Sequence, residues 1–150
     1  MDATVSFQRS HDVVIAVPAE VVFDYVTNPN SWPEWLAASH ALECPDRPLG
    51  TGEAFREFWS TRKGPVTLDW VITEARRPER WIGETGAPFT GPIIVQYDFS
   101  HADGMTQFTR TVVNPSRPQA PTPEMVRRID EEAAVGLGNI KRILEARSDG

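Results

Sequence analysis

Residues 13–36 read VVIAVPAEVVFDYVTNPNSWPEWL, and this stretch decides the fold. Its first five residues place apolar side chains at every second position, which is the period of a half-buried β-strand. Pro18 ends that strand and begins a helix, because its ring fixes φ and its nitrogen has no hydrogen to donate. The helix places three apolar side chains on one face, those of Val22, Phe23 and Val26. The stretch therefore predicts a strand followed without a loop by an amphipathic helix.

A second, shorter helix is predicted directly after the first. The residue before Pro29 is disfavoured in helical geometry, so the first helix ends there. Ser31 is followed three residues later by Glu34, the spacing of a capping box in which each side chain satisfies a backbone N–H of the other residue. We therefore expect a short helix, capped by Ser31, that carries Trp32 and Trp35.

The middle of the chain predicts an antiparallel sheet. Five segments there have strand length and are rich in aromatic and β-branched residues: 53–62, 65–75, 79–84, 92–100 and 105–113. Residues 40–43 add a further short strand ahead of them. The breaks between the five segments contain Gly or Pro and are too short for a helical crossover, so neighbouring segments are joined as hairpins.

The C-terminal part of the chain predicts one long helix. Thr122 is a favourable N-cap, and Pro123 fits the first helical position. Apolar residues then recur at steps of three and four and form a stripe along one face: Val126, Ile129, Ala133, Leu137, Ile140 and Leu144. Because this stripe must lie on the sheet, we predict an α+β fold in which a curved antiparallel sheet wraps around the long C-terminal helix.

The order of these elements resembles the START-like, or SRPBCC, superfamily, and within it the polyketide cyclase/dehydrase-type proteins. The resemblance is carried by the helix start PAEVVF at 18–23, by the segment WPEW at 32–35 and by the long final helix. It implies a helix-grip (START/Bet v 1-like) fold with two short helices after the first strand. It also implies an apolar cavity between the sheet and the C-terminal helix. Relatives include aromatase/cyclases, in which such a cavity orients a reactive polyketone.

Composition limits the classes of function. The chain has 150 residues, 40% of them apolar, which suits a single domain spanning residues 1–150. A net charge of −6 and the absence of a Lys/Arg run disfavour a nucleic-acid binder. One cysteine, Cys44, cannot form an internal disulfide, and no signal or membrane-length apolar segment is present. We therefore expect a cytoplasmic protein without membrane insertion, either a monomer or a homodimer.

Motifs for metal binding or catalysis do not stand out. The three histidines, His11, His40 and His101, lie in unrelated segments without neighbouring Cys or acidic ligands. We therefore predict surface histidines, no metal site and no cofactor. A hydrolase nucleophile elbow and a phosphate-binding glycine loop are also lacking.

Tryptophans are the first candidates for ligand binding. Trp59, Trp70 and Trp81 fall on successive predicted strands, where they either fill the core or line a pocket. The resemblance implies that Trp35, on the second short helix, lies at the mouth of the cavity.

Glycines within the last helix add a second clue. Gly136 and Gly138 each cost about 1 kcal/mol relative to Ala in a helix interior. Close packing of the helix on the sheet would explain them, but Gly136 lies near the apolar stripe, and the resemblance favours space for a ligand there. Ile140, further along the same helix, and Tyr97, in the sheet, complete the predicted ligand-binding set.

We expect the chain to bind a small hydrophobic, polyketide- or lipid-like molecule in the cavity between the sheet and the C-terminal helix. The alternative is a polyketide cyclase/dehydratase-like enzyme, for which placement and one acid–base group suffice. Asp69, Glu57 and Tyr97 are the candidate catalytic residues, and strand parity alone does not settle which of them face inward. A third hypothesis, an interaction module of the chaperone-cofactor kind, has less support because the sequence shows no broad apolar patch.

Overall fold

The computed structural model of the protein describes residues 4–36, 41–61, 64–87 and 90–148. The strands are β1 (Val5–Ile15), β2 (Ala41–Glu43), β3 (Ala54–Thr61), β4 (Gly64–Arg76), β5 (Arg80–Ala87), β6 (Gly91–Ala102) and β7 (Met105–Arg117). The helices are α1 (Ala19–Val26), α2 (Trp32–Trp35) and α3 (Pro123–Ser148). A one-turn 3-10 helix, Pro29–Ser31, joins α1 to α2.

The strands form one curved antiparallel sheet in the order β1-β7-β6-β5-β4-β3-β2. Strands β2 to β7 are neighbours in chain order, as the short breaks predict. The first strand pairs with the last, so β1 and β7 lie side by side. The predicted helix-grip fold, with short helices after β1 and a long C-terminal helix, is confirmed.

Strands β1 and β7 are longer than the sequence pattern predicts. β1 begins at Val5 rather than near Val13, and the pattern does not show this because Arg9 and His11 interrupt the apolar alternation between Phe7 and Val13. β7 continues past Pro115 to Arg117. The pairing of β1 with β7 shifts register at this point, and such an irregularity tolerates the missing N–H of a proline. The inner face of the sheet therefore extends further than expected, and it carries polar residues there.

The connection from α1 to α2 differs from the predicted capping box. The Ser31 hydroxyl donates to the Tyr25 carbonyl at 2.7 Å and accepts from Trp35 Nε1 at 3.2 Å, so it caps no backbone N–H. Glu34 instead accepts a hydrogen bond of 2.6 Å from the Tyr25 hydroxyl. The prediction of a cap at Ser31 is wrong because these two contacts occupy its hydroxyl. Asn28 instead caps the preceding 3-10 turn and accepts from the Asn30 N–H at 3.1 Å.

Helix α3 packs on the sheet through only part of its apolar stripe. Thr122 caps the helix as predicted, and its hydroxyl accepts from a backbone N–H of the first turn at 3.2 Å. The C-terminal half of the stripe is buried, with Leu137, Ile140 and Leu144 at most 4% exposed. In the N-terminal half, Ile129 and Ala133 are only partly buried. A space therefore opens between the first half of α3 and the sheet.

Aromatic side chains form a continuous run through the core, which we call the aromatic chain. Its rings follow one another in the order Phe23, Phe99, Phe108, Tyr97, Trp81, Trp32, Phe55 and Trp70. Trp35 branches from it at Tyr97. Neighbouring ring centroids lie 5.1–6.4 Å apart, the range of offset-stacked and edge-to-face contacts. This packing holds α1 and α2 against the sheet.

Candidate functional site

The space between the first half of α3 and the sheet is a cavity of about 350 Å³. Its walls are largely aromatic and aliphatic and include Phe7, Trp32, Trp59, Trp70, Ile93, Val95, Val112 and Ile129. Polar side chains of β1, β3, β6 and β7 also line it: Arg9, His11, Glu57, Tyr97, Arg110, Asn114 and Arg117. A concave, mainly apolar space with a few converging polar groups is the usual form of a small-molecule site.

One rung of the sheet supplies three of these polar groups. Arg110 on β7 lies opposite Tyr97 on β6 and, on its other side, opposite His11 on β1. Asp130 of α3 accepts from Arg9 Nε at 3.0 Å and from His11 Nε2 at 2.7 Å, which ties the first half of α3 to β1. These hydrogen bonds, that of Arg9 first, lower the pKa of Asp130. Because a carboxylate only accepts hydrogen bonds, we assign the ring hydrogen of His11 to Nε2.

Tyr97 is fully buried, and its hydroxyl has no hydrogen-bond partner among the described residues. Burial raises the pKa of Tyr97 from 10.0 to about 12. The Arg110 guanidinium opposes this shift without reversing it, and the charge of Glu57 adds to it. Tyr97 therefore stays a neutral phenol near neutral pH and can donate one hydrogen bond in the cavity.

Glu57 brings a carboxyl group to the wall of the cavity. It is 2% exposed, and its Oε1 accepts from Trp70 Nε1 at 3.1 Å. Within the described ranges it is the only Asp or Glu that is buried. Because burying a carboxyl group costs free energy unless it is paired or hydrogen-bonded, acidic residues are rarely placed in a core for packing alone.

Buried donors in the cavity lack an acceptor within the described part of the chain. The atoms are Trp59 Nε1, Tyr97 Oη and Arg110 Nε. Leaving a buried polar group unpaired costs about 1–3 kcal/mol, so nearly all such groups in folded proteins are satisfied. The three donors are therefore suited to a molecule that carries acceptor oxygens.

Four of the predicted site residues come together in the cavity wall, namely Glu57, Trp59, Trp70 and Tyr97. Asp69 lies on the outer face of β4, where it is exposed and accepts from Arg56 Nε at 2.8 Å. Trp81 and Ile140 are fully buried in the core and are not part of the cavity lining. Trp81 Nε1 donates to the Leu49 carbonyl at 3.0 Å, so its polar atom is already satisfied.

Gly136 and Trp35 contact each other rather than the cavity. A Cβ atom at Gly136 would lie 2.9 Å from the carbonyl oxygen of Trp35, closer than Cβ atoms approach backbone oxygens in proteins. Trp35 is 2% exposed, and its ring centroid is 6.4 Å from that of Tyr97. Gly136 therefore permits close packing, but the partner is α2 rather than the sheet.

A family comparison agrees with this architecture. The model of the family described as polyketide cyclase/dehydrase and lipid transport matches residues 4–145. The chain belongs to this family. No curated protein sequence matches it.

Solved structures similar to this polyketide cyclase/dehydrase family member share its fold. The Zhui aromatase/cyclase from Streptomyces sp. R1128 is 17% identical, with a TM-score of 0.73 over 96% of both chains. The di-domain ARO/CYC StfQ of the steffimycin pathway is 12% identical, with a TM-score of 0.74 over 97% of this chain and 52% of that one. Ara h 8.0201 is 11% identical, with a TM-score of 0.69 over 95% of this chain and 99% of that one. Identities of this size establish the shared fold alone.

The polar residues of β1 and β7 in this family member are absent from the sequence-based site. His11, expected on the surface, lines the cavity with a side chain that is 20% exposed. His101 is exposed as expected, and His40 lies outside the described residues. The signal that could have found the missing residues is strand parity, since Phe7, Arg9, His11 and Val13 share one face of β1, and Phe108, Arg110, Val112 and Asn114 share one face of β7.

A larger cleft of about 690 Å³ lies on the outside, between α1 and the end of α3. Its polar groups satisfy one another: Tyr25 Oη donates to Glu34 at 2.6 Å, and Asn28 Nδ2 donates to Asp46 at 2.9 Å. The inner cavity, with its unpaired donors, is therefore the better candidate for a binding site.

Metal and membrane features are not found in the part of the chain that the structure describes. There, no three or more His, Cys, Asp or Glu side chains are grouped so that they could hold a metal ion. No helix of that part is both long and apolar enough to cross a membrane.

Proposed function

We propose that this family member binds a small, mainly apolar molecule with ketone- or hydroxyl-type oxygens in the inner cavity. The observation that carries the proposal is the set of unpaired donors, Trp59 Nε1, Tyr97 Oη and Arg110 Nε, set among aromatic walls. Aromatic walls favour flat apolar ligands, while the donors fix the orientation of the oxygens. An aromatic, polyketide-like molecule has this combination of features.

The size of the cavity restricts the ligand. Its volume of about 350 Å³ lies near the lower end of the range of ligand pockets, about 300–1,000 Å³. A compact molecule of two or three fused rings suits this space better than a long acyl chain.

A pair of probes of matched shape tests the proposal. Calorimetric titration with 2-acetonaphthone and with 2-ethylnaphthalene compares a ketone with a hydrocarbon of similar size. We expect the ketone to bind about tenfold more tightly, because one or two hydrogen bonds contribute about 0.5–1.5 kcal/mol each. The replacements Trp59→Phe and Tyr97→Phe should each reduce this preference several-fold, whereas Asp69→Asn, on the outer face, should not change it. Equal affinity for both probes in the parent protein contradicts the proposal, as does an unchanged preference in both cavity variants.

The buried carboxyl group of Glu57 favours a second candidate function, that of a cyclase or dehydratase. In this hypothesis Glu57 removes a proton from carbon next to a ligand carbonyl, and the cavity donors stabilise the resulting enolate oxygen. Tyr97 is a poor base near neutral pH, because its raised pKa keeps it protonated, so it acts as a donor. Placement of a flexible polyketone between these groups is the remaining requirement.

Turnover of a poly-β-ketone analogue distinguishes the enzyme from a binding protein. We expect Glu57→Gln to abolish turnover while binding persists, because the amide retains an acceptor for Trp70 but cannot take the proton. Asp69→Asn serves as the control with unchanged turnover. If the parent protein binds such analogues and leaves them chemically unaltered, the catalytic hypothesis is rejected and the binding function stands.

A further inference from the structure

We propose that the natural ligand carries a carboxylate and that Arg110 is its partner. This inference rests on the proposed binding function and adds a charge to the ligand. The starting observation is that Arg110 lines the cavity and that its Nε is buried without an acceptor among the described residues.

Several other arginines of the described chain are paired with carboxylates. Arg56 pairs with Asp69 and Arg80 with Asp98, each at 2.8 Å, although both arginines lie near solvent that could hydrate them. Arg110 forms no salt bridge with any described residue, although part of its guanidinium is removed from water. A guanidinium that is partly removed from water and has no anionic partner costs free energy. A bound anion from outside the protein would offset this cost.

The acidic groups around the cavity do not fill this role. Asp130 already accepts from Arg9 and His11. Glu57 lies on β3, with β4, β5 and β6 between it and the strand of Arg110, and it accepts from Trp70. Glu132 of α3 lines the cavity without a salt bridge to Arg110. The Trp35 ring compensates part of the charge, since its centroid lies 5.9 Å from Arg110 Cζ.

The surroundings of Arg110 fit a carboxylate better than a neutral oxygen. Tyr97 lies directly opposite Arg110 in the register of β6 and β7, and its hydroxyl hydrogen has no acceptor among the described residues. A carboxylate has two oxygens, so one can accept from Arg110 Nε and the other from Tyr97 Oη. Hydrogen bonds with an ionised partner are stronger than neutral ones. The apolar part of the ligand then extends towards Trp59 and Ile93, which line the same cavity.

Calorimetric titration with 2-naphthoate and 2-naphthamide at neutral pH tests the inference. The two probes have the same shape and differ in charge. We expect the carboxylate to bind at least tenfold more tightly than the amide. In Arg110→Gln the ratio should fall to within about twofold, whereas Arg56→Gln, which removes an outer-face guanidinium, should leave it unchanged.

The outcomes separate this inference from the proposed function. If the amide binds as tightly as the carboxylate in the parent protein, the inference is overturned, while the proposed binding function stands. If neither naphthalene probe nor 2-acetonaphthone binds, the proposed function itself fails. If Arg110→Gln does not fold, Arg110→Lys retains the charge but lacks the forked donors, and it should show a ratio several-fold smaller than that of the parent. A full preference for the carboxylate in either folded Arg110 variant assigns the anion to another residue and rejects the inference.

Discussion

Tyr97 shows how burial sets the chemistry of a single residue in this protein. Its pKa is raised to about 12 by desolvation, so the folded state holds the phenolic proton where the unfolded chain releases it. Below pH 10 Tyr97 is protonated in both states, and its contribution to the free energy of unfolding is fully present. Between pH 10 and pH 12 only the unfolded state ionises, so that contribution is lost as the pH rises.

The first prediction follows from this loss of stability at high pH. The difference in free energy of unfolding between the parent protein and Tyr97→Phe should fall by about 2–3 kcal/mol from pH 9.5 to pH 12. Urea denaturation at several pH values measures it, and the subtraction removes the effect of other groups that titrate in this range, such as Tyr25. A difference that stays constant across the range would show that the phenol is not desolvated in the folded protein.

The alternation of inward and outward side chains along a strand determines which site residues could be predicted from the sequence. Val66, Leu68, Trp70 and Ile72 are buried on one face of β4, and this alternation places Asp69 outside. The same rule places Glu57 inside, because Phe55 and Trp59 flank it at period two. Parity is reliable here because the β3–β4 pairing runs without a register shift and the irregularity of β4 begins only after Ile72, facts that the sequence does not reveal. The unpaired state of the donors depends on several strands at once and could not be predicted.

Helix α3 contains two glycines, Gly136 and Gly138, whose surroundings differ and which can be compared by substitution with Ala. A Cβ atom at Gly136 would meet a backbone oxygen of α2 at 2.9 Å, whereas one at Gly138 would meet nothing within 4 Å. Our second prediction is that Gly136→Ala destabilises the protein, because overpacking typically costs about 1–3 kcal/mol and outweighs the gain in helix propensity. Gly138→Ala should stabilise it by up to about 1 kcal/mol. Denaturation midpoints measured side by side check both changes, and stabilisation by Gly136→Ala would contradict the close packing of α3 on α2.

The third prediction concerns the ties between α3 and β1. Asp130 holds the first half of the helix to Arg9 and His11, while Leu137 and Leu144 anchor the second half in the core. Asp130→Asn removes the charge and weakens both contacts, so the amides of residues 124–133 should exchange with solvent faster. Those of residues 137–144 should be unaffected, because apolar burial holds them. Hydrogen-exchange mass spectrometry distinguishes the two halves, and equal acceleration in both would show that α3 opens as one unit.

Element boundaries were predicted well where local signals are strong. The cap at Thr122 and the turn at 103–104 are where the sequence places them. The first half of β1 was missed because Arg9 and His11 follow Phe7 on its inner face and break the apolar alternation that would signal a strand. The cap at Ser31 was wrong because its hydroxyl bonds the Tyr25 carbonyl and the Trp35 indole instead of a backbone N–H, which the capping-box spacing does not consider.

The fold as a whole contains features that local sequence patterns predict and features that depend on contacts between distant parts of the chain. Short breaks predict hairpins, and hairpins give the order of β2 to β7. The pairing of β1 with β7 brings the first and the last strand together, and no local pattern in the sequence predicts it. The cavity exists because only the second half of α3 buries its apolar side chains in the core, although the apolar stripe runs through both halves. The uniform apolar stripe in the sequence therefore does not show that only the second half of the helix is buried.

The aromatic chain has a consequence for how this protein interacts with light. Because its rings stand only 5.1–6.4 Å apart, their electronic transitions couple, and the near-ultraviolet circular dichroism spectrum reports on the whole run rather than on one indole. Tyr97 belongs to this run and also to the cavity wall. A molecule that touches Tyr97 therefore perturbs a signal to which Phe23, on α1, also contributes. The native chromophores thus form a built-in optical sensor for occupancy of the cavity, and no added dye is required.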